Sequence, residues 1–228
     1  IPTNGLRQLR RDAFHARRLA FEHLGRTLEA YQDLLCGGWI PPRATNTSSG
    51  LIDLTQFYNE SFVERAVERG LSEPRLFQHT LAGSAFDLRG VVQLASSEPQ
   101  AEDGNLPEKV MGIPIDRSVR FLHFLHATKG AMPDGTRVGH YVIHYADGEQ
   151  RVVPIVYGDH LRSFAVSADQ TQQLKAATEV WTHPDLDPLH NIRMSKSTWP
   201  NPRPAVEIST IDFISAKTRC APFLVAIT

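Results

Sequence analysis

The chain is poor in the features that would place it quickly. Its 228 residues include two cysteines, Cys36 and Cys220. They are too few and too distant for a disulfide scaffold or a zinc knuckle, which leaves two isolated thiols or one long-range bridge. No apolar run reaches the ~18 residues that a transmembrane helix requires. Charge of one sign is also missing: 24 Lys and Arg stand against 25 Asp and Glu. Without a basic field there is no electrostatic reason to expect a nucleic-acid partner. HExxH, paired CxxC, GxSxG and Walker-type loops are absent, which removes the commonest zinc-protease, α/β-hydrolase and nucleotide signatures. The chain opens at Ile1 rather than Met, so a signal peptide or upstream domain is expected to have been removed, and compartment stays open.

What is present divides at about residue 43. Between Leu6 and Leu35 there is no Pro, and Phe14, Phe21, Leu24, Leu28, Tyr31 and Leu35 recur at helical spacing. This predicts an amphipathic N-terminal α-helix whose apolar stripe packs on the rest of the chain or self-associates. Cys36-Gly37-Gly38 and the polar stretch after Pro41-Pro42 end it. Residues 1–43 are therefore read as helix and linker, and 44–228 as a second domain.

That second domain reads as mainly β. Nine short β-prone runs, separated by Gly, Pro and Asp, are predicted over 51–57, 86–94, 119–126, 138–145, 151–157, 179–182, 192–195, 206–214 and 223–227. This suits a sandwich or barrel better than βαβ units. Two interruptions, 60–70 and 168–177, have a helical look. The clearest element is a hairpin over 138–157 turning at Asp147-Gly148, a dipeptide suited to a type I′ turn. Its register places Tyr141, Ile143 and Tyr145 on one face and His140, Val142 and His144 on the other. Pro154, lacking an N–H, points to an edge position.

Several residue groups carry candidate chemistry. His123, His126, His140, His144 and His160 invite a metal site, but His123 and His126 face opposite sides of a strand. His140 and His144 would lie about 13 Å apart at ~3.3 Å per residue. Asp53, Asp87, Asp159, Asp185, Asp187, Glu207 and Asp212 are carboxylates from which a glycosidase pair could be drawn, and otherwise serve as strand ends or partners of Arg89, Arg120 and Arg162. Asn46 and Asn59 stand in Asn-x-Ser/Thr contexts. Sugar binding needs an aromatic surface for the C–H face of a pyranose and planar polar groups for its hydroxyls. Ser195 to Pro204 offers both in what reads as a Pro-stiffened loop, with Trp199, Asn201 and Arg203. Trp181, Asp159 and Arg162 are candidates to join it. Trp199 has a second reading as a plug at the end of the core, and Asp159 with Arg162 as a local ion pair.

Seven segments, IDLTQFYN (52–59), FDLRGVVQL (86–94), RFLHFLHA (120–127), GHYVIHYADG (139–148), VPIVYGDHLRSF (153–164), TWPNPRPAVEISTIDFISA (198–216) and APFLVAIT (221–228), together resemble the galactose-binding-like β-sandwich modules of bacteria. Such modules sit at the C-terminal end of secreted, anti-sigma-factor-like or kinase-like multidomain proteins. The resemblance runs from about Ile52 to the end. It implies a jelly roll with ligands met by loops at one end, an extracytoplasmic or secreted setting, and in some members a structural Ca²⁺ held by loop carbonyls and carboxylates. The leading expectation is a non-catalytic carbohydrate-binding or cell-surface recognition module, with a glycan or polysaccharide as partner. The competing expectations are a protein-interaction module of a signalling protein that dimerises through residues 6–35, and a glycoside hydrolase, lyase or His-ligated metal enzyme.

Overall fold

A computed structural model describes residues 40–62, 77–98, 105–167, 172–184 and 190–228. The helix expected over 6–35 lies outside these residues, as do Cys36, Asp185, Asp187 and most of the two interruptions expected to be helical. Of the interruptions, Glu60–Ser61 is a short strand and Phe62 is helical, with 63–70 outside the described residues, while 172–176 is irregular before a strand starts at Ala177.

The fold is mainly β and its sheets are antiparallel. In chain order the strands are β1 Glu60–Ser61, β2 Phe77–Leu81, β3 Ser84–Leu88, β4 Gly90–Gln93, β5 Lys109–Arg117, β6 Phe121–Lys129, β7 Arg137–Tyr145, β8 Gln150–Val156, β9 Ala165–Ser167, β10 Ala177–Pro184, β11 His190–Pro200, β12 Ile208–Ser215 and β13 Ala221–Ile227. One sheet runs β1-β4-β13-β6-β11-β10, with β9 also on β11; the second runs β5-β12-β7-β8; β2 and β3 form a separate hairpin. Ile113, Ile115, Tyr141, Ile143, Ile155, Ile211 and Phe213 of the smaller sheet pack against Val92, Leu122, Phe124, Leu224 and Ile227 of the larger one. On the far face of the larger sheet, Leu125, Ala127, Ile192, Met194, Phe223 and Val225 are covered by Leu81, Phe86 and Leu88 of the β2–β3 hairpin. Strand β13 is thus apolar on both sides, and all seven of its residues are buried, as the unbroken run APFLVAI requires.

The central hairpin has the expected register. Tyr141, Ile143 and Tyr145 are buried, whereas His140, Val142 and His144 are only partly so, and Pro154 lies on the edge strand β8. The turn differs from the expected type I′. Tyr145 accepts from Gly148 N and its own N–H donates to Glu149 O, with Gly148 at φ 89° and Asp147 outside the positive-φ region. This is a three-residue loop closed by a left-handed glycine, which costs one positive φ instead of two.

Four further departures have local causes. The run 51–57 is not a strand: Asp53 Oδ1 accepts from Thr55 N at 3.0 Å, and Phe57 N donates back to Leu54 O, so side chain and turn take the hydrogen bonds a ladder would need. The run 86–94 breaks at Arg89, whose side chain is wholly buried among Asp87, Asp53 and Thr55. Strand β5 went unread because Gly112 and Pro114 look like breakers. They sit instead on an edge strand with register shifts against β12, where Gly112 has φ 72° and its N–H is held by Asp212 Oδ1 at 2.8 Å. Finally, 195–200 is strand rather than loop, because β11 stays paired with β6 until Pro200 meets Phe121.

The start of β4 depends on a close approach. A Cβ at Gly90 would lie 2.4 Å from Cγ of Tyr58, whose ring is pinned beside Arg89 and whose hydroxyl donates to Val225 O. Gly90→Ala is expected to cost about 1–3 kcal/mol in urea unfolding, the usual cost of overpacking.

Candidate functional site

The structure divides the six sugar-site candidates between two ends of the sandwich. Trp199, Asn201 and Arg203 lie where β11 ends beside Phe121 and the Asp147 turn. Asp159, Arg162 and the backbone of Trp181 lie at the other end, near Arg193; the side chain of Trp181 is outside what the structure describes. Arg193 and Trp199 are six residues apart on one strand, roughly 20 Å.

At the first end, all three candidates are engaged internally. Trp199 pairs with Leu122 and packs against the inter-sheet core, which is the plug reading. Asn201 is buried; its Oδ1 accepts from the Tyr145 hydroxyl at 2.5 Å and from Arg203 N at 2.9 Å, while Nδ2 donates to Val119 O at 2.8 Å and Arg203 O at 3.3 Å. That exhausts its planar amide. Arg203 donates to both carboxylate oxygens of Asp147, at 3.1 and 2.5 Å, and lies over the Tyr145 ring at 4.9 Å. The Asp147 hydrogen bond raises the guanidinium above its ordinary value. Together they tie the hairpin turn to the end of β11.

At the second end, Arg162 is buried and grips Asp134 with two parallel 2.8 Å bonds, and its Nη1 also donates to Gln172 Oε1. The expected local pair with Asp159 does not form: Asp159 faces Lys175 at 3.3 Å. A bidentate fork matches the Asp134 carboxylate better than a carboxylate three positions away on the same tight turn.

Three buried groups between the sheets resemble a nucleophile relay. Ser197 Oγ lies 3.0 Å from His126 Nε2, and His126 Nδ1 lies 3.0 Å from the Tyr141 hydroxyl. Hydrogen accounting assigns them a structural role. Nε2 is also 3.2 Å from the carbonyl of His160, which can only accept, so Nε2 carries the proton and Nδ1 accepts from Tyr141. His126 is then not placed to take a proton from Ser197. Burial pushes its pKa down to about 3, so it is neutral at ordinary pH.

Solvent meets aromatic surface one strand from Trp199. Phe121, 52% exposed, and His123 lie on the face of β6 opposite the inter-sheet core, with ring centroids 6.4 Å apart and planes inclined by only 18°. They continue the row of Leu125 and Ala127 beyond the cover of the β2–β3 hairpin, whose rim is marked by Lys196 Nζ donating to Ala82 O. Thr198 on β11 and Thr228 just past β13 flank His123; the Thr198 hydroxyl sits 2.8 Å from His123 Nδ1, and the Thr228 hydroxyl donates to Gly50 O at 3.3 Å. Nε2 has no hydrogen-bond partner among the described residues. Burial, with Lys196 adding to it, lowers the His123 pKa and keeps the ring neutral. A solvent-facing apolar ring, a neutral imidazole and two flanking threonines therefore share one rigid sheet surface. Sequence reading missed it because RFLHFLHA is apolar on both parities, so alternation does not reveal which parity emerges into solvent.

Among the described residues no three His, Cys, Asp or Glu side chains converge to hold a metal. The acids near the loops are committed: Asp134 to Arg162, Asp147 to Arg203, and Asp212 to His144 at 2.6 Å. Among the described residues a structural Ca²⁺ is thus offered no shared carboxylate set. Asn59, one of the two Asn-x-Ser/Thr asparagines, is paired on both sides of its amide with the backbone of Gln93. No helix among the described residues is long and apolar enough to cross a membrane. No family model matches the chain, and no curated protein matches it. What fold and surface define is an antiparallel β-sandwich with an exposed aromatic pair on one sheet face.

Proposed function

We propose that the chain is a non-catalytic carbohydrate-recognition module, a galactose-binding-like jelly roll working outside the cytoplasm, whose ligand is a polysaccharide met by Phe121 and His123. The exposure of Phe121 beside a nearly parallel, neutral His123 carries this reading. The C–H face of a pyranose packs on the phenyl ring, and its hydroxyls find His123 Nε2 and the flanking threonines. Both rings stand on β6, which is paired with β11 as far as Phe121 and with the end of the chain after β13 as far as His123, so little ordering entropy is spent on binding. The internal engagement of Asn201 and Arg203 supports moving the site from the loop after β11 to the face of β6.

Phe121→Ala is the direct test, read by affinity electrophoresis in soluble polysaccharides and by depletion on insoluble ones. Losing the face of an aromatic platform is expected to weaken binding roughly tenfold or more. Stability should stay within about 0.5 kcal/mol, as for other surface substitutions. Unchanged retention of the variant on a polysaccharide that the native chain binds would remove Phe121 from the site.

A further inference from the structure

We infer a second binding site, for a sugar acid of hexuronate size, in the pocket that Arg193 shares with residues 172–174 and 177–179. It stands independently of the Phe121 surface, at the other end of β11. The cavity has a volume of about 330 Å³, which suits a single small ligand rather than a polymer.

Arg193 in its wall is 5% exposed. Its Nε donates to Ser163 O and its Nη1 to Glu179 Oε2, both at 3.3 Å, and Nη2 has no hydrogen-bond partner among the described residues. A guanidinium this deeply buried needs fuller pairing than one long contact to a carboxylate that is itself a third exposed. Burial and the neighbouring charge of Arg162 both act against its charged form, while Glu179 favours it. A ligand carboxylate reaching Nη2 would complete the pairing with a charge-assisted bond. The remaining lining fits the rest of a sugar acid. Leu174 and Ala177 give apolar contact, and Thr178 and Gln172 give polar groups for hydroxyls. Gln172 is held in place from behind, because Arg162, locked on Asp134, donates to its Oε1.

The test is calorimetric titration of the full chain with glucuronate and galacturonate against glucose and galactose. The uronates are expected to bind, and the neutral hexoses about tenfold more weakly or worse, the usual worth of a charge-assisted hydrogen bond. Arg193→Gln should abolish the preference. Because Arg193 is buried, Thr178→Trp provides a second variant: Thr178 is exposed on edge strand β10, so the indole fills the pocket without entering the core. It should remove uronate binding with thermal unfolding unchanged, while Phe121→Ala leaves uronate binding intact. Absence of uronate heat, equal binding of neutral hexoses, or binding that survives Thr178→Trp would each overturn the site. None of these results bears on polysaccharide binding through Phe121.

Discussion

Replacing Arg89 by Ala is expected to cost about 3–5 kcal/mol of unfolding free energy, the range found when one member of a buried ion pair is removed. Arg89 has no exposed surface. Its Nε donates to Asp87 Oδ2 at 2.8 Å, Nη2 to Asp53 Oδ1 at 3.0 Å and to Thr55 Oγ1 at 2.8 Å, and Nη1 to Pro41 O at 3.1 Å. One guanidinium thus joins the segment before the first strand, the 51–58 turn and the β3–β4 junction. Its removal leaves Asp87, 3% exposed, facing only the more distant Arg43 at 3.6 Å among the described residues. Urea denaturation at neutral pH measures the loss. Arg89→Met should be nearly as damaging as Arg89→Ala, because the stranded carboxylate rather than the missing volume dominates the cost.

Acid destabilisation beginning well above the carboxylate range is the second large effect. His126 is held neutral in the folded state, with its pKa pushed down by burial to about 3 from an ordinary 6.5. Below pH 6.5 the unfolded chain takes up a proton that the folded chain refuses until about pH 3. Its contribution is therefore complete above 6.5 and is lost as pH falls. The slope approaches ~1.4 kcal/mol per pH unit, or roughly 2 kcal/mol between pH 6.5 and 5. His123, His140 and His160 are also lowered by burial and act in the same direction. Asp134 and Asp147, held down by hydrogen bonds from Arg162 and Arg203, contribute stability that is lost only below about pH 4, so the window above pH 5 isolates the histidines. Urea midpoints from pH 7 to 5 should fall for the native chain and fall less for His126→Gln. A flat profile would contradict a buried neutral His126.

The sequence and the structure agree where a single local rule decides. Alternation put Tyr141, Ile143 and Tyr145 on one face, which is the buried one; the run 223–227 marked a strand; and opposite facing separated His123 from His126. They part where tertiary partners override local chemistry. Gly112 and Pro114 look like breakers until Asp212, far along the chain, holds the irregular edge. Arg89 divides one apparent strand because its counter-charges come from residues 53 and 87. The proposed sugar site was harder still. Trp199, Asn201 and Arg203 have the right chemistry, but Trp199 packs on the core, Asn201 is buried with its amide filled, and Arg203 is held by Asp147. Phe121 looks like core from its neighbours and becomes surface only because the β2–β3 hairpin stops short of it. Arg193 gave no signal as an isolated arginine, since its pocket is lined by residues 14 to 21 positions before it.

Chemical-shift mapping during titration with a soluble oligosaccharide of a polysaccharide that retains the protein tests the central proposal most directly. The amides of Phe121, His123, Thr198 and Thr228 should move together and saturate on one isotherm, with Phe121→Ala abolishing the response. Shifts confined to the loop of Asn201 to Arg203, or a response that persists in Phe121→Ala, would contradict recognition through the face of β6.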